Sequence, residues 1–486
     1  MMIELMMAAV LPLGGATNAS GVVSFKDAAK IKSWDAWHDH ETPKAWSEKR
    51  CVTKERLEKV VSGLPEIGRF DVLRTNAVRS LRWSVGCECL DRDYADWDQY
   101  KRFLFELGVG RARFFSGWAK TEQEKGVYDF AWLDKPIRQC AVGGVKPWIC
   151  LSYGNPVWGS DFRLGMRVEQ VTGNAEAFAA WIRYVKAVVA RYRDVVDTWE
   201  VWNEPFAQAD AYAKLLVETV RAIKEVQPEA TCIATALGWA KPPEKSEYFK
   251  VLMRVKEAGA LEQIRRWAYH PYCKNPDTSY DGFELKLRKL VKSFDAKADI
   301  LQGETGCPSQ LEYAHALAEH EWTEYAQAKW NLRRAVGDAA RDIPSNLFTL
   351  IDLQYTFMLQ SFGLVRANAL KEPVYRRPSY FAMRNLYALI DDRTVAKGFH
   401  TVETNGRKLA VATFTREGRR MTAAWFCDRD PSDELGYERV SCGLLGVPKG
   451  LVWADPLTDR LCRQDGEDVP VWDSPVFLLE YGISRR

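Results

Sequence analysis

Trp199-Glu200-Val201-Trp202-Asn203-Glu204-Pro205-Phe206 continues a β-strand pattern that runs out of Val195-Val196-Asp197-Thr198. Pro205 has no N–H to give a sheet ladder, so the strand is expected to stop there. Glu204 then sits at the mouth of the strand, where a loop begins. In a (β/α)8 barrel the carboxyl ends of the strands are where reactive groups gather. A carboxylate crowded by Trp199, Trp202 and Phe206 is also a candidate for a raised pKa, because desolvation disfavours its charged form. A proton donor working near neutral pH needs that property.

Working outward, the stretch is one unit of a repeated alternation. Strand patterns occur at 83–90, 111–115, 145–153, 231–237, 264–269, 298–303 and 347–353. Helical periodicity separates them. Tyr94–Leu107 places Trp97, Tyr100, Phe103, Leu104 and Leu107 on one face. Asn174 is positioned to cap a helix whose apolar positions include Phe178, Trp181, Val185, Val188 and Tyr192. Helical patterns also cover 211–226, 247–258, 283–294, 311–340 and 379–390. Eight strands alternating with helices imply a parallel sheet with right-handed crossovers, and eight units close most economically as a TIM barrel. After residue 396 the pattern changes to short strand-like runs between turn clusters such as Asn405-Gly406. The expected organisation is an α/β chain. Residues 1–80 form an N-terminal extension, 81–395 a (β/α)8 barrel and 396–486 a small antiparallel β-sandwich domain, which strands from 1–80 could complete.

Composition excludes several classes. The 486 residues are 47% hydrophobic and 27% charged, with a net charge of +3, so no nucleic acid and no membrane surface is called for as a partner. No run approaches the ~18 apolar residues of a membrane span. The eleven cysteines form no CxxC pair and no disulfide framework, which favours a soluble protein of a reducing compartment. Met6–Leu13 looks like the core of a signal peptide, but no Lys or Arg precedes it. His38-Asp39-His40-Glu41 reads as a solvated turn, because consecutive residues seldom converge on one ion. His315 and His320, five apart on the expected long helix, read as solvated. No metal or cofactor is expected.

Glu204 needs a partner, and Leu301-Gln302-Gly303-Glu304-Thr305-Gly306 supplies one at the end of the seventh strand pattern. Glycosidic bond cleavage requires such a pair. One protonated carboxyl assists the leaving oxygen, and one ionised carboxylate meets the oxocarbenium-like carbon. A single glutamate would say little; two, on strands four and seven of eight, are specific.

Trp202-Asn203-Glu204-Pro205, followed a hundred residues later by Gly303-Glu304, resembles clan A of the retaining glycoside hydrolases. That resemblance implies that Glu204 is the general acid/base and Glu304 the nucleophile, with Asn203 on the sugar 2-hydroxyl. Arg113, in Gly110-Arg111-Ala112-Arg113, matches the clan's strand-two arginine, expected to hold Glu304 ionised. His270 and Tyr272, in Tyr269-His270-Pro271-Tyr272, match its strand-six segment. Tyr272 would donate to Glu304, and His270 would tune Glu204 or touch substrate. Phe348-Thr349-Leu350-Ile351-Asp352, Phe362-Gly363-Leu364 and Arg377-Pro378-Ser379-Tyr380-Phe381-Ala382 are similar to family 39, which contains β-xylosidases, α-L-iduronidases and exopolysaccharide hydrolases. Glu304 lacks that family's following tryptophan, and residues 347–353 lack the tryptophan that clan members often carry on strand eight.

Trp118, Trp158 and Trp239 are therefore the expected sugar platforms. Glu88, Asn155 and Gln302, at other strand ends, are the remaining candidate substrate contacts. Lys120 is read as meeting a carboxylate sugar or pairing with Glu122. The expected function is a retaining glycoside hydrolase acting by double displacement on a carbohydrate substrate. The alternatives are a catalytically silent carbohydrate-binding barrel and a transglycosylase on the same site.

Overall fold

The computed structural model describes residues 54–70, 80–161, 167–238 and 241–480. The signal-like segment, the His38–Glu41 cluster and Trp239 lie outside the described residues.

Eight parallel strands close into a barrel: Ser80–Gly86, Val109–Phe115, Lys146–Leu151, Thr198–Val201, Thr231–Ala234, Ile264–Tyr269, Asp299–Thr305 and Ser345–Leu347. Helices cover it in the order the periodicity predicts. Asn174 caps Ala175–Tyr192 by accepting from the N–H groups of Glu176 and Ala177, and Ser246 caps Glu247–Glu257 in the same way. Asp96 caps Trp97–Leu107, so that helix starts three residues later than its apolar pattern. The helix Ala131–Val142, which packs outside the third strand, was not read from the sequence.

Three differences bear on the site. Strand four ends at Val201 and not at Pro205, because Trp202 already has φ 68° and leaves the extended region. Residues 311–323 are a loop, and the helix runs only over Glu324–Ala340 from its cap at Thr323. His315, Leu317 and Glu319 all have positive φ, which no helix accommodates. Strand eight is Ser345–Leu347, upstream of the expected 347–353, which leaves Phe348 at its mouth.

Beyond the barrel, a seven-stranded antiparallel sheet takes its edge strand, Glu66–Arg69, from ahead of the barrel. A two-stranded ribbon, Glu438–Ser441 with Asp468–Val471, completes the β-sandwich. The Trp453 indole of the sheet donates to the Pro470 carbonyl of the ribbon at 2.9 Å. Helix Glu324–Ala340 is buried along nearly its whole length between this sheet and the barrel. Its Lys329 ammonium is fully buried and pairs with Asp473, while Arg333 pairs with Asp277 and donates to the Arg429 carbonyl. The described residues contain no helix long and apolar enough to cross a membrane, and their ten cysteines are free thiols.

Candidate active site

Arg113 lies at the centre of the barrel mouth. The barrel register sets it beside Gly86 on strand one and Trp148 on strand three. Its guanidinium is fully buried and makes four hydrogen bonds. Nε donates to Glu200 Oε2 at 2.8 Å, and Nη2 to Asn203 Oδ1 at 2.9 Å. Nη1 donates both to Glu88 Oε1 at 2.8 Å and to Glu304 Oε2 at 2.6 Å. One cation thus gathers three carboxyl groups, and the planar fork of arginine suits it to this where lysine would not serve. Burial pushes the Glu88 carboxyl up to about 8 against the pull of Arg113, with Glu304 and Glu200 adding to the rise.

Glu304 is held from both sides, because its Oε1 accepts from the Tyr272 hydroxyl at 2.8 Å. Burial favours its neutral form, but His270, Arg113 and the Tyr272 hydroxyl outweigh that and bring the carboxyl below its ordinary value. Glu204 makes a different contact: its Oε1 lies 2.7 Å from His270 Nδ1. Burial pulls the His270 imidazole down, and Glu304 and Glu204 more than reverse it, so it holds a proton above its ordinary range. A carboxylate oxygen of Glu204, one of Glu304 and a ring nitrogen of His270 lie within 4.8 Å of one another. Three such donors could meet a cation, but the guanidinium 2.6 Å from Glu304 opposes one electrostatically.

The turn after strand four aims these groups. Trp202 and Glu204 both have positive φ, at 68° and 52°, a region that non-glycine residues occupy at a cost. Trp202 packs against Trp181 and Tyr153, which anchors the turn, and Asn203 Nδ2 donates to the Tyr153 hydroxyl at 2.9 Å. Trp199 faces outward, donating to Gln227, so the Glu204 side chain remains 29% accessible and is not walled in by tryptophans. Gly303 leaves room for His270: a Cβ there would lie 3.3 Å from Nε2. Gly306 allows strand eight to approach, since a Cβ would lie 2.0 Å from the Phe348 carbonyl oxygen.

Glu88, Asn203, Glu204, His270, Tyr272 and Glu304 open into one cavity of about 560 Å³. Its remaining wall includes Arg92 and Tyr355, which no motif marks, and His315, expected to be solvated on a helix. Phe348 stands at the strand-eight mouth, where the sequence has no tryptophan. His315 and Tyr355 border the cavity with ring centroids 4.6 Å apart, and Tyr94 backs Tyr355 at 4.4 Å between centroids. The loop form of 311–323 brings His315 there, and a helical reading cannot find it. Arg92 also reaches the cavity, stacked over the Tyr153 and Phe115 rings. Glu200, two residues into the opening stretch, was visible as a charged residue inside a strand.

The other candidates serve the scaffold. Trp118 is fully buried, stacked on Tyr184 and donating to Glu122. Trp158 is buried on the flank between Lys125 and Arg183, away from the cavity. Asn155 caps the turn at Val157 and donates to the Glu122 carbonyl. Gln302 accepts from the Asn346 N–H. Lys120 pairs with Asp93 and not with Glu122. None of these five side chains lines the cavity.

No protein-family model matches the chain. Among solved structures it is similar to a family 39 glycoside hydrolase from Bacteroides cellulosilyticus WH2, with 20% identity, 84% of this chain and 82% of that one covered, and a TM-score of 0.65. It is also similar to a GH30 endoxylanase from Clostridium papyrosolvens C71, with 10% identity, 87% and 99% covered, and a TM-score of 0.54. A glucosidase from Croceicoccus marinus gives 13% identity, 86% and 97% covered, and a TM-score of 0.52. The likeness to the clan A (β/α)8 glycoside hydrolases, read first from Trp202–Pro205 and Glu304, therefore holds at the level of the fold.

Proposed function

We propose that the protein is a retaining glycoside hydrolase with Glu304 as nucleophile and Glu204 as acid/base. The observation that carries this is the separation of the two carboxyl groups, with oxygens within 4.8 Å. Retaining enzymes hold the pair at ~5–5.5 Å, while inverting ones leave ~6.5–9.5 Å for a water molecule. The electrostatics divide the roles. Arg113 and Tyr272 keep Glu304 ionised and oriented for attack. Glu204 makes no contact with Arg113; it pairs with His270, and its side chain is 29% accessible to a leaving group.

In the first step Glu304 attacks the anomeric carbon as the glycosidic C–O bond breaks, and Glu204 gives its proton to the departing oxygen. The resulting ester neutralises Glu304. Glu204, now ionised, takes a proton from water as that water attacks the same carbon, and the Glu304 carboxylate is released. Asn203, fixed by Arg113 and Tyr153, is placed to hold a sugar hydroxyl beside the reacting carbon. The solved structures of like fold are described as an endoxylanase, a glucosidase and a family 39 glycoside hydrolase, and they support the class of reaction without choosing the sugar.

The test is a panel of aryl glycosides with wild type, Glu204→Ala and Glu304→Ala. On the best substrate, azide should restore turnover to Glu304→Ala and give a glycosyl azide of inverted configuration. Near-full activity of Glu304→Ala without azide overturns the assignment. A wild type that binds oligosaccharide but cleaves no glycoside would point to a binding barrel.

A further inference from the structure

Glu88 lies two residues beyond Gly86 on strand one, and its carboxyl folds back over that glycine. A Cβ on Gly86 would lie 3.1 Å from the Glu88 carboxyl, so the glycine makes room for it. Oε1 takes half of Arg113 Nη1, the same nitrogen that serves Glu304. Oε2 is buried with no hydrogen-bond partner among the described residues. A buried carboxylate oxygen with no donor is costly, whereas a neutral carboxyl oxygen there costs far less. The groups facing Glu88 are Arg113, Glu200, Glu304, Tyr272 and Cys150, with Cys87 and Cys89 beside it in the chain. Of these, only Arg113 is a cation, and Glu200 and Glu304 already draw on it.

We propose that Glu88 is a positioning residue that stays protonated while the protein works, leaving Glu304 as the one ionised carboxylate on Arg113 Nη1. The inference rests on the reading of Glu304 as nucleophile. A neutral Glu88 accepts weakly from Nη1 and leaves its charge to orient Glu304. An ionised Glu88 competes for the same N–H group and repels Glu304, and a displacement of ~1 Å at a reacting group costs about a hundredfold. The upward shift of the Glu88 carboxyl by burial agrees with this arrangement.

The protonation is read directly by an infrared pH titration of the intact protein. Between about pH 6 and about pH 10, wild type should lose a protonated-carboxyl C=O band with a midpoint near about 8. Glu88→Gln should lack that change, and Glu304→Gln should move the midpoint downward, because a neighbouring negative charge is gone. Wild-type and Glu88→Gln spectra that change identically overturn the proposal, as does an unmoved midpoint in Glu304→Gln.

The consequence for catalysis is read with a 2,4-dinitrophenyl glycoside in a Glu204→Ala background, where the leaving group needs no proton. The value of kcat/KM should fall about tenfold one pH unit above the Glu88 midpoint and by less than about twofold once Glu88→Gln is added. Coincident profiles overturn the positioning role. Failure of every glycoside to turn over, with the infrared band intact, would sink the hydrolase reading alone. Turnover without the band would sink the Glu88 inference alone.

Discussion

His270 Nδ1 lies 2.7 Å from Glu204 Oε1, and the same ring is drawn toward protonation by Glu304. The imidazole therefore ties the two carboxyl groups together. His270→Asn should lower kcat/KM by about tenfold to a hundredfold and change the pH profile. It should also change stability in a defined window. A histidine whose pKa is raised on folding stabilises fully below its unfolded value of about 6.5. That contribution is lost as pH rises through the higher folded value. Urea midpoints of wild type and His270→Asn should therefore converge as pH rises from about 6 to 9.

Among the described residues, Arg113 is the one cation that pairs with all of Glu88, Glu200 and Glu304. Arg113→Met should destabilise the fold by about 3–5 kcal/mol at neutral pH, since it strands buried carboxyl groups. Glu304, whose folded pKa is depressed, contributes stability above its unfolded value of about 4.3. That contribution disappears as pH falls through the folded value. Urea unfolding of the pair should show the gap narrowing below about pH 4. Arg113→Lys should retain part of the stability but little activity, because it cannot serve Glu304 and Asn203 together.

Two glycines should separate stability from chemistry. Gly306→Ala meets the Phe348 carbonyl oxygen at 2.0 Å, which is backbone and cannot yield. A loss of at least about 3 kcal/mol, or no soluble protein, is expected. Gly303→Ala meets the Ala268 Cβ at 2.9 Å and His270 Nε2 at 3.3 Å. It should cost less, about 1–3 kcal/mol, yet reduce activity by displacing His270. Thermal unfolding and kcat on the same preparations distinguish the two.

Trp118 and Tyr355 should behave in opposite ways. Trp118→Phe removes a buried hydrogen bond to Glu122 and part of a stack on Tyr184, so it should lower the melting temperature and leave KM for a bound sugar unaltered. Tyr355→Ala opens the aromatic border of the cavity and should raise KM severalfold with little change in melting temperature. An unchanged KM in Tyr355→Ala would remove that border from substrate binding.

How far the sequence could be read follows from where each signal resides. The barrel was legible because its strands and helices carry periodicity, and caps such as Asn174 mark where helices begin. Glu204 and Glu304 were legible as a pair because each closes a strand pattern, and the barrel brings their carboxyl oxygens within 4.8 Å of one another. The cavity wall was not. His315 reaches it from a loop of left-handed residues inside what reads as helix, and Phe348 depends on where strand eight stops within a short apolar run. Trp118, Trp158, Asn155 and Gln302 show the converse limit. A strand end fixes a residue's height in the barrel, but whether its side chain lines the cavity depends on partners distant in sequence, such as Tyr184 and Asn346.

Lys329 and Arg333 stand on a barrel helix, yet their counter-charges and carbonyl partners include Asp473, Glu434 and Arg429 of the C-terminal strands and turns. A chain cut ahead of residue 396 would carry these two cations into an apolar helix face left bare to water, and wild-type calorimetry should show one transition for both halves. The barrel is thus a poor unit for shuffling or transplantation. Its packing is completed by residues far along the chain, at Arg429, Glu434 and Asp473.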